Sequence, residues 1–218
     1  MIRIDTKTAA ADQPVIAWQS SGSSANSVSA FFVILLAYLI GCFSTAYYLV
    51  RWRTGQDIRT LGSGAAGARN AGRRLGKRGF PLVFAGDVLK GALAVWLAER
   101  LNVPSWSIAA VMVAVVLGHL FPIQLGGRGG KGAATAFGAV GAVNWQLALL
   151  CVVVAALAFL LTRDTMASGL VAFVAAVPLA FLLTMPLVLC LGVLGIVLLL
   201  LVAHRDNIRA LRSSWLPH

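Results

Sequence analysis

Three polar segments interrupt a strongly apolar chain, and each carries residue types suited to holding a phosphate. The first runs "RTLGSGAAGARNAGRRLGKRGF" over 59–80. Its glycines, Gly62, Gly64, Gly67 and Gly72, permit tight turns that lay backbone N–H groups against an anion. Ser63 and Asn70 can donate to phosphate oxygens, and Arg69, Arg73, Arg74, Lys77 and Arg78 supply charge. A loop that only touches lipid headgroups would need the cations but not the glycines. Gly62, Ser63, Gly64, Asn70 and Arg73 are therefore the candidate phosphate binders. Arg74, Lys77 and Arg78 read as headgroup contacts.

The second segment is "GHLFPIQLGGRGGKGAAT" over 118–135. It is not a Walker loop, because Lys131 is followed by Gly132 rather than by Ser or Thr. The physics is similar all the same. A Gly-rich turn ends in a lysine and runs into an apolar helix, whose N-terminus offers free N–H groups and roughly half a positive charge. Gly129, Gly130 and Lys131 are its candidate phosphate contacts, set against the alternative of a flexible re-entrant turn. His119, at the end of an apolar stretch, reads as a packing histidine. The third segment, "AHRDNIRALR" over 203–212, spaces His204 and Asn207 at i, i+3, on one helical face. A polar helix end with snorkelling arginines is the alternative there.

The elements that must position these segments are membrane helices. Only 11% of the 218 residues are charged, and the mean hydropathy is +0.86, too apolar for the surface of a soluble domain. Apolar runs over 30–50, 80–98, 107–122, 133–161, 166–185 and 186–203 reach or approach the length of a bilayer span. Lipid tolerates only backbones that satisfy their own hydrogen bonds, so an all-α membrane protein is expected. Residues 1–29 lack the pattern of a cleavable signal and read as a polar, disordered tail. One membrane domain is expected over 30–212, with a short tail over 213–218. Cys42, Cys151 and Cys190 sit in apolar runs without metal spacing and read as buried small hydrophobes.

Charge orients the helices. The loop 51–79 holds eight cations against Asp57 alone, and cationic loops stay cytoplasmic. Arg128, Lys131 and the arginines of the C-terminal segment belong on the same side. An outside start and an inside end require an odd number of spans. The run 133–161 is too long for one ordinary span, and splitting it near Asn144–Trp145 gives about seven transmembrane helices, N-terminus outside and C-terminus cytoplasmic. One long tilted helix is the alternative. Asp87 and Lys90 lie inside a span at i, i+3 and read as a structural ion pair.

Taken together, the three segments resemble the bacterial acyl-phosphate:glycerol-3-phosphate acyltransferase family of integral membrane enzymes. "LGSGAAGARNAGR" is similar to the family's first motif, V/L-G-S-G-N-x-G-A-T-N-x-x-R. "GHLFPIQLGGRGGKGAAT" matches the second throughout, and "HRDNIRAL" is similar to the third. The resemblance covers nearly the whole chain beyond the tail. It implies transfer of a fatty acyl group from acyl phosphate to the 1-hydroxyl of sn-glycerol 3-phosphate, giving lysophosphatidic acid and phosphate. It implies an active site on the cytoplasmic face of the bacterial inner membrane, and no metal or other cofactor. Ser63, Lys131, His204 and Asn207 fall on its catalytic positions, and Asn70 and Arg73 on its substrate-binding positions.

Membrane lipid is the expected surrounding, nucleic acid is not an expected partner, and a monomer is expected. Departures stand at Ala65 for Asn, Arg69 for Thr and Met166 for Ser, and in "GCFSTA" at the end of the first span. They leave open an inactive or re-purposed lipid-binding paralogue, and the intramembrane charges leave open a small lipid or anion transporter. The residues themselves exclude two common acyl-transfer devices: there is no G-x-S-x-G elbow and no H-x-x-x-x-D pair.

Overall fold

A computed structural model describes residues 24–215, with side chains over 29–210. The tail expected over 1–29 lies outside the described residues as far as residue 23. Residues 24–29 instead open the first helix. Of the expected C-terminal tail, 213–215 belong to the last helix and the remainder lies outside the described residues.

Among the described residues all regular structure is helical. In chain order the helices are α1 (Ser24–Cys42), α2 (Thr45–Thr54), α3 (Ala68–Leu75), α4 (Gly79–Arg100) and α5 (Ser105–Leu120). They continue with α6 (Ala133–Val143), α7 (Trp145–Thr162), α8 (Thr165–Leu182), α9 (Leu187–Ala203) and α10 (Arg205–Trp215). Five stretches are long and apolar enough to cross a membrane: Ser29–Thr54, Ala68–Arg100, Ser105–Leu125, Trp145–Thr162 and Thr165–Leu182. The apolar helices α6 and α9 are shorter, at 11 and 17 residues.

Apolar residues surround α5, and it is buried on most of its faces, between α1, α4, α6 and α9. The outer helices turn large apolar side chains outward, Leu161 and Leu182 most fully, as a lipid-facing surface requires. All three cysteines are free and buried.

Two breaks matter for the site. The run 133–161 divides at Asn144, whose extended backbone ends α6 and whose side chain accepts the Leu147 N–H at 2.8 Å to start α7. The run 30–50, expected to be continuous, breaks after Cys42. Ser44 caps α2 by accepting from Tyr47, and Lys90 Nζ takes the carbonyls of Gly41 and Phe43 at 3.2 and 2.7 Å. Polar partners thus satisfy the carbonyls that the break exposes: Lys90 of α4 takes those of Gly41 and Phe43, and the Gln124 amide that of Cys42.

The short α6 lies directly on α4. A methyl group at Gly138 would stand 2.0 Å from the Val88 carbonyl oxygen. Small residues allow this backbone approach, and it holds the start of α6 beside Asp87 and Lys90.

Candidate active site

The segment 59–67 is a turn held from within by Asn70. Gly62 and Gly64 adopt left-handed backbones, with φ of 54° and 71°, which glycine does without strain. Asn70 is buried beneath them. Its amide nitrogen faces the carbonyls of Ile58, Leu61 and Ala65 at 3.2, 2.8 and 3.1 Å. Its oxygen accepts the Ser63 N–H at 3.4 Å. The amide expected to hold phosphate is therefore engaged in shaping the loop. Below the turn, Asp57 caps a short turn at Ile58 and pairs with Arg59 at 2.6 Å. The Arg59 guanidinium holds the Asp57 carboxyl below the usual carboxylate range. Arg59 also donates to the Leu125 carbonyl at 2.6 Å, tying the first segment to the second.

The second segment is laid between the first and the end of α5. Gly129 N–H donates to the Leu120 carbonyl and Gly130 N–H to the His119 carbonyl, both at 3.1 Å, while Ala66 N–H donates to the Gly129 carbonyl at 3.1 Å. Gly129 and Gly130 were expected to offer their amides to a phosphate. Both amides are spent on α5, and neither residue lines the cavity. Gly62 and Gly64, the other glycines expected at a phosphate, are placed differently again. They form the turn but stay off the cavity wall, and the Gly64 N–H is taken by the Leu61 carbonyl at 3.0 Å. The chain reaches the cavity only at Lys131, Gly132, Ala133 and Ala134, where α6 begins. Gly132 has no capping side chain, so the first turn of α6 has no side-chain cap where it lines the cavity.

That cavity measures about 570 Å³ and gathers six predicted residues: Ser63, Asn70, Arg73, Lys131, His204 and Asn207. Lys131 Nζ donates to the Asn207 side-chain oxygen, which joins the second segment to the third. Burial draws the Lys131 ammonium below its ordinary range; Asp206 opposes that fall and Arg69 adds to it. His204 sits just past the end of α9, at a turn rather than within a continuous helix. Its Nδ1 lies 2.8 Å from the Leu200 carbonyl oxygen. A carbonyl only accepts, so Nδ1 carries the proton and Nε2 keeps a lone pair. Burial holds the His204 imidazole below its ordinary value against the pull of the Leu200 carbonyl, and the charges of Lys131 and Arg69 reinforce the shift.

Two residues join the site that the sequence reading did not assign to it. Arg69 and Thr165 both line the cavity, and the Arg69 guanidinium donates to the Thr165 hydroxyl across its mouth. Arg69 precedes Arg73 by one helical turn on α3. The segment was read as a glycine loop, and recognising a helix there would have placed both arginines on one face. No local signal marks Thr165, which reaches the site through the fold of α8. Met166 also lines the cavity, and Ala65 does so beside the turn. Beyond the polar groups the wall becomes apolar, with Phe84, Phe137, Val152, Leu170 and Phe173 drawn from α4, α6, α7 and α8.

The intramembrane pair Asp87–Lys90 is made at 3.1 Å, with Asp87 and His119 at the polar floor of the same cavity. No group of three or more His, Cys, Asp or Glu side chains suited to a metal occurs among the described residues.

The family model described as glycerol-3-phosphate acyltransferase matches residues 31–214. A glycerol-3-phosphate acyltransferase 1 of Desulfitobacterium hafniense is 44% identical over 183 residues, 84% of this chain and 91% of that protein. That of Deinococcus radiodurans is 40% identical over 188 residues, covering 86% and 94%. Among solved structures, the glycerol 3-phosphate form of PlsY (YgiH), an integral membrane glycerol 3-phosphate acyltransferase, superposes with a TM-score of 0.80 at 35% identity. It covers 85% of this chain and 93% of its own. The lysophosphatidic acid form of the same enzyme gives 0.78 at 33%, with the same coverage.

Proposed function

The chain belongs to the integral membrane glycerol-3-phosphate acyltransferase family, and from that premise we propose that it moves a fatty acyl group from acyl phosphate to the 1-hydroxyl of sn-glycerol 3-phosphate. The products are lysophosphatidic acid and inorganic phosphate. The observation that carries this reading is the shape of one cavity, cationic at one end and apolar at the other. Arg69, Arg73, Lys131 and the uncapped start of α6 line one part of it, and apolar side chains of α4, α6, α7 and α8 line the rest. A phosphate head with a fatty tail fits that gradient.

The two substrates each carry a charge near −2. At about 6 Å they repel by roughly 3 kcal/mol in water and roughly 11 at an effective dielectric of 20. Arg69, Arg73 and Lys131, which form no ion pair with a carboxylate among the described residues, offset that repulsion. The acyl phosphate is already activated, so one displacement suffices. The glycerol oxygen forms the ester bond to the acyl carbon, and the bond from that carbon to the phosphate oxygen breaks. Phosphate leaves with the electron pair, and the hydroxyl proton passes to His204 Nε2. Lys131 and the α6 N–H groups stabilise the oxyanion formed on the way. Asn207 holds the Lys131 ammonium in place, and Ser63 lies on the cavity wall as a further hydroxyl donor.

Seven crossings follow if α6 and α9 are counted beside the five longer stretches. The basic segment 51–79 and the C-terminal segment then face the cytoplasm, across the inner membrane of a bacterial cell, with the chain acting as a monomer.

The test is direct. Purified protein in lipid receives palmitoyl phosphate and glycerol 3-phosphate, and phosphate release is followed. Release that requires glycerol 3-phosphate and yields lysophosphatidic acid is expected. Folded protein giving no release would end the reading and leave a lipid-binding role. Full turnover in His204→Gln would transfer the proton step to a substrate phosphate oxygen.

A further inference from the structure

The polar cluster under the cavity joins more elements than an ion pair needs to. Asp87 Oδ1 accepts from Lys90 Nζ and from the Thr45 hydroxyl, each at 3.1 Å. It also stands 3.7 Å from His119 Nδ1. His119 Nδ1 in turn shares a hydrogen bond of 3.2 Å with the Thr135 hydroxyl. Lys90 completes its coordination on the carbonyls at the end of α1. Four buried side chains therefore connect α4, α5 and α6, with the α1–α2 junction attached through Thr45 and Lys90. All are within a few percent of full burial.

The His119 ring has a second neighbour on its other edge. A methyl group added to Gly130 would lie 2.1 Å from His119 Nε2, so the ring presses on the Gly130 backbone. The His119 carbonyl also accepts the Gly130 N–H. One side chain thus meets Gly130 through Nε2 and Thr135 through Nδ1. Lys131 lies between those two contacts in the chain.

We propose that His119 is a positioning residue for Lys131, bracketing it between Gly130 and Thr135 and fixing where its ammonium and the start of α6 face the cavity. Asp87 and Lys90 serve as the anchor that keeps the ring in this orientation. The inference rests on the acyltransferase reading, since it assigns the bracketed lysine to substrate phosphate.

A double-mutant cycle on glycerol 3-phosphate binding, followed by calorimetry on the whole protein in detergent, tests it. Thermal unfolding is measured beside it. His119→Ala should weaken binding about tenfold, because small misplacements at a site are costly. Thr135→Val, similar in volume, should weaken it in the same direction while the protein still folds, with a melting temperature a few degrees lower as one buried hydrogen bond is lost, and it carries the test if His119→Ala does not fold. Neither change should weaken binding further once Lys131→Ala is present. Losses that multiply in the Lys131→Ala background would overturn the proposal, as would wild-type affinity in Thr135→Val. His119→Asn, whose amide falls near Nδ1, should recover more affinity than His119→Gln. The reverse order would place the working contact at Nε2 and overturn the bracket. Wild-type protein that binds no glycerol 3-phosphate would sink the acyltransferase reading itself, a result distinct from any of these.

Discussion

Two sets of charges lie within one helical frame and are treated in opposite ways. Asp87 and Lys90, in the floor, are buried and satisfied, by each other, by Thr45 and by the carbonyls at the end of α1. Arg69, Arg73 and Lys131 line the cavity wall, and among the described residues none of them forms an ion pair with a carboxylate. Burying a charge is tolerable only when it is paired and hydrogen-bonded. Leaving like charges together is tolerable only near water, and it becomes favourable when an anion binds between them. On the proposed function the second set serves a ligand, while the first serves the fold and, through His119, the placement of Lys131. Mutations should separate the two.

The largest expected effect falls on the floor. Asp87→Ala leaves Lys90 buried and unpaired, which costs about 3–5 kcal/mol. A fall in melting temperature on the order of 10 °C should follow, read by thermal unfolding in detergent. Replacing both partners, as Asp87→Leu with Lys90→Met, should lie closer to wild type than the single change. A single variant that melts at the wild-type temperature would mean the pair contributes nothing to the fold.

The wall should show the opposite pattern. Lys131→Ala removes a stabilising charge from the reaction but no paired charge from the core. Its kcat/KM should fall about 10²–10³-fold, while the melting temperature holds. A variant that is both unstable and inactive would erase the distinction drawn between the two sets. Arg69→Met comes next, with a KM raised about tenfold and kcat largely kept, as expected for a cation that positions substrate at the mouth. An unchanged KM for both substrates would leave its bond to Thr165 as its whole role.

This division was partly legible in the chain. The length of 133–161 announced a break, and Asn144 supplies it because its side chain can cap the next helix. The i, i+3 spacing of Asp87 and Lys90 announced the ion pair. The gathering of Ser63, Arg73, Lys131, His204 and Asn207 followed from three motifs facing one side. The directions of the glycine amides were not legible. Gly129 and Gly130 look like phosphate donors in sequence, yet their N–H groups are taken by α5 carbonyls that only the folded chain brings near. The Asn70 contacts were not legible either: it lines the cavity, yet its amide nitrogen meets the carbonyls of Ile58, Leu61 and Ala65. Arg69 stood in a segment read as loop, and the helix that aims it into the cavity is short, at eight residues.

The smallest effect sharpens the wall further, because it reads the charges through one another. Lys131 holds its proton less firmly than a lysine in water, chiefly through burial, with Arg69 adding repulsion and Asp206 opposing it. The charge is present below the folded value and is lost as pH rises through it. The alkaline limb of kcat/KM should therefore fall below the ordinary lysine value of about 10.4. Arg69→Met removes one cause of the depression, so its limb should move upward while remaining below that value, since burial persists. Lys131→Arg keeps its charge throughout the accessible range and should lose the limb altogether. A limb that stays in place in both variants would belong to another group, and the cationic wall would then act as three separate charges rather than as one field.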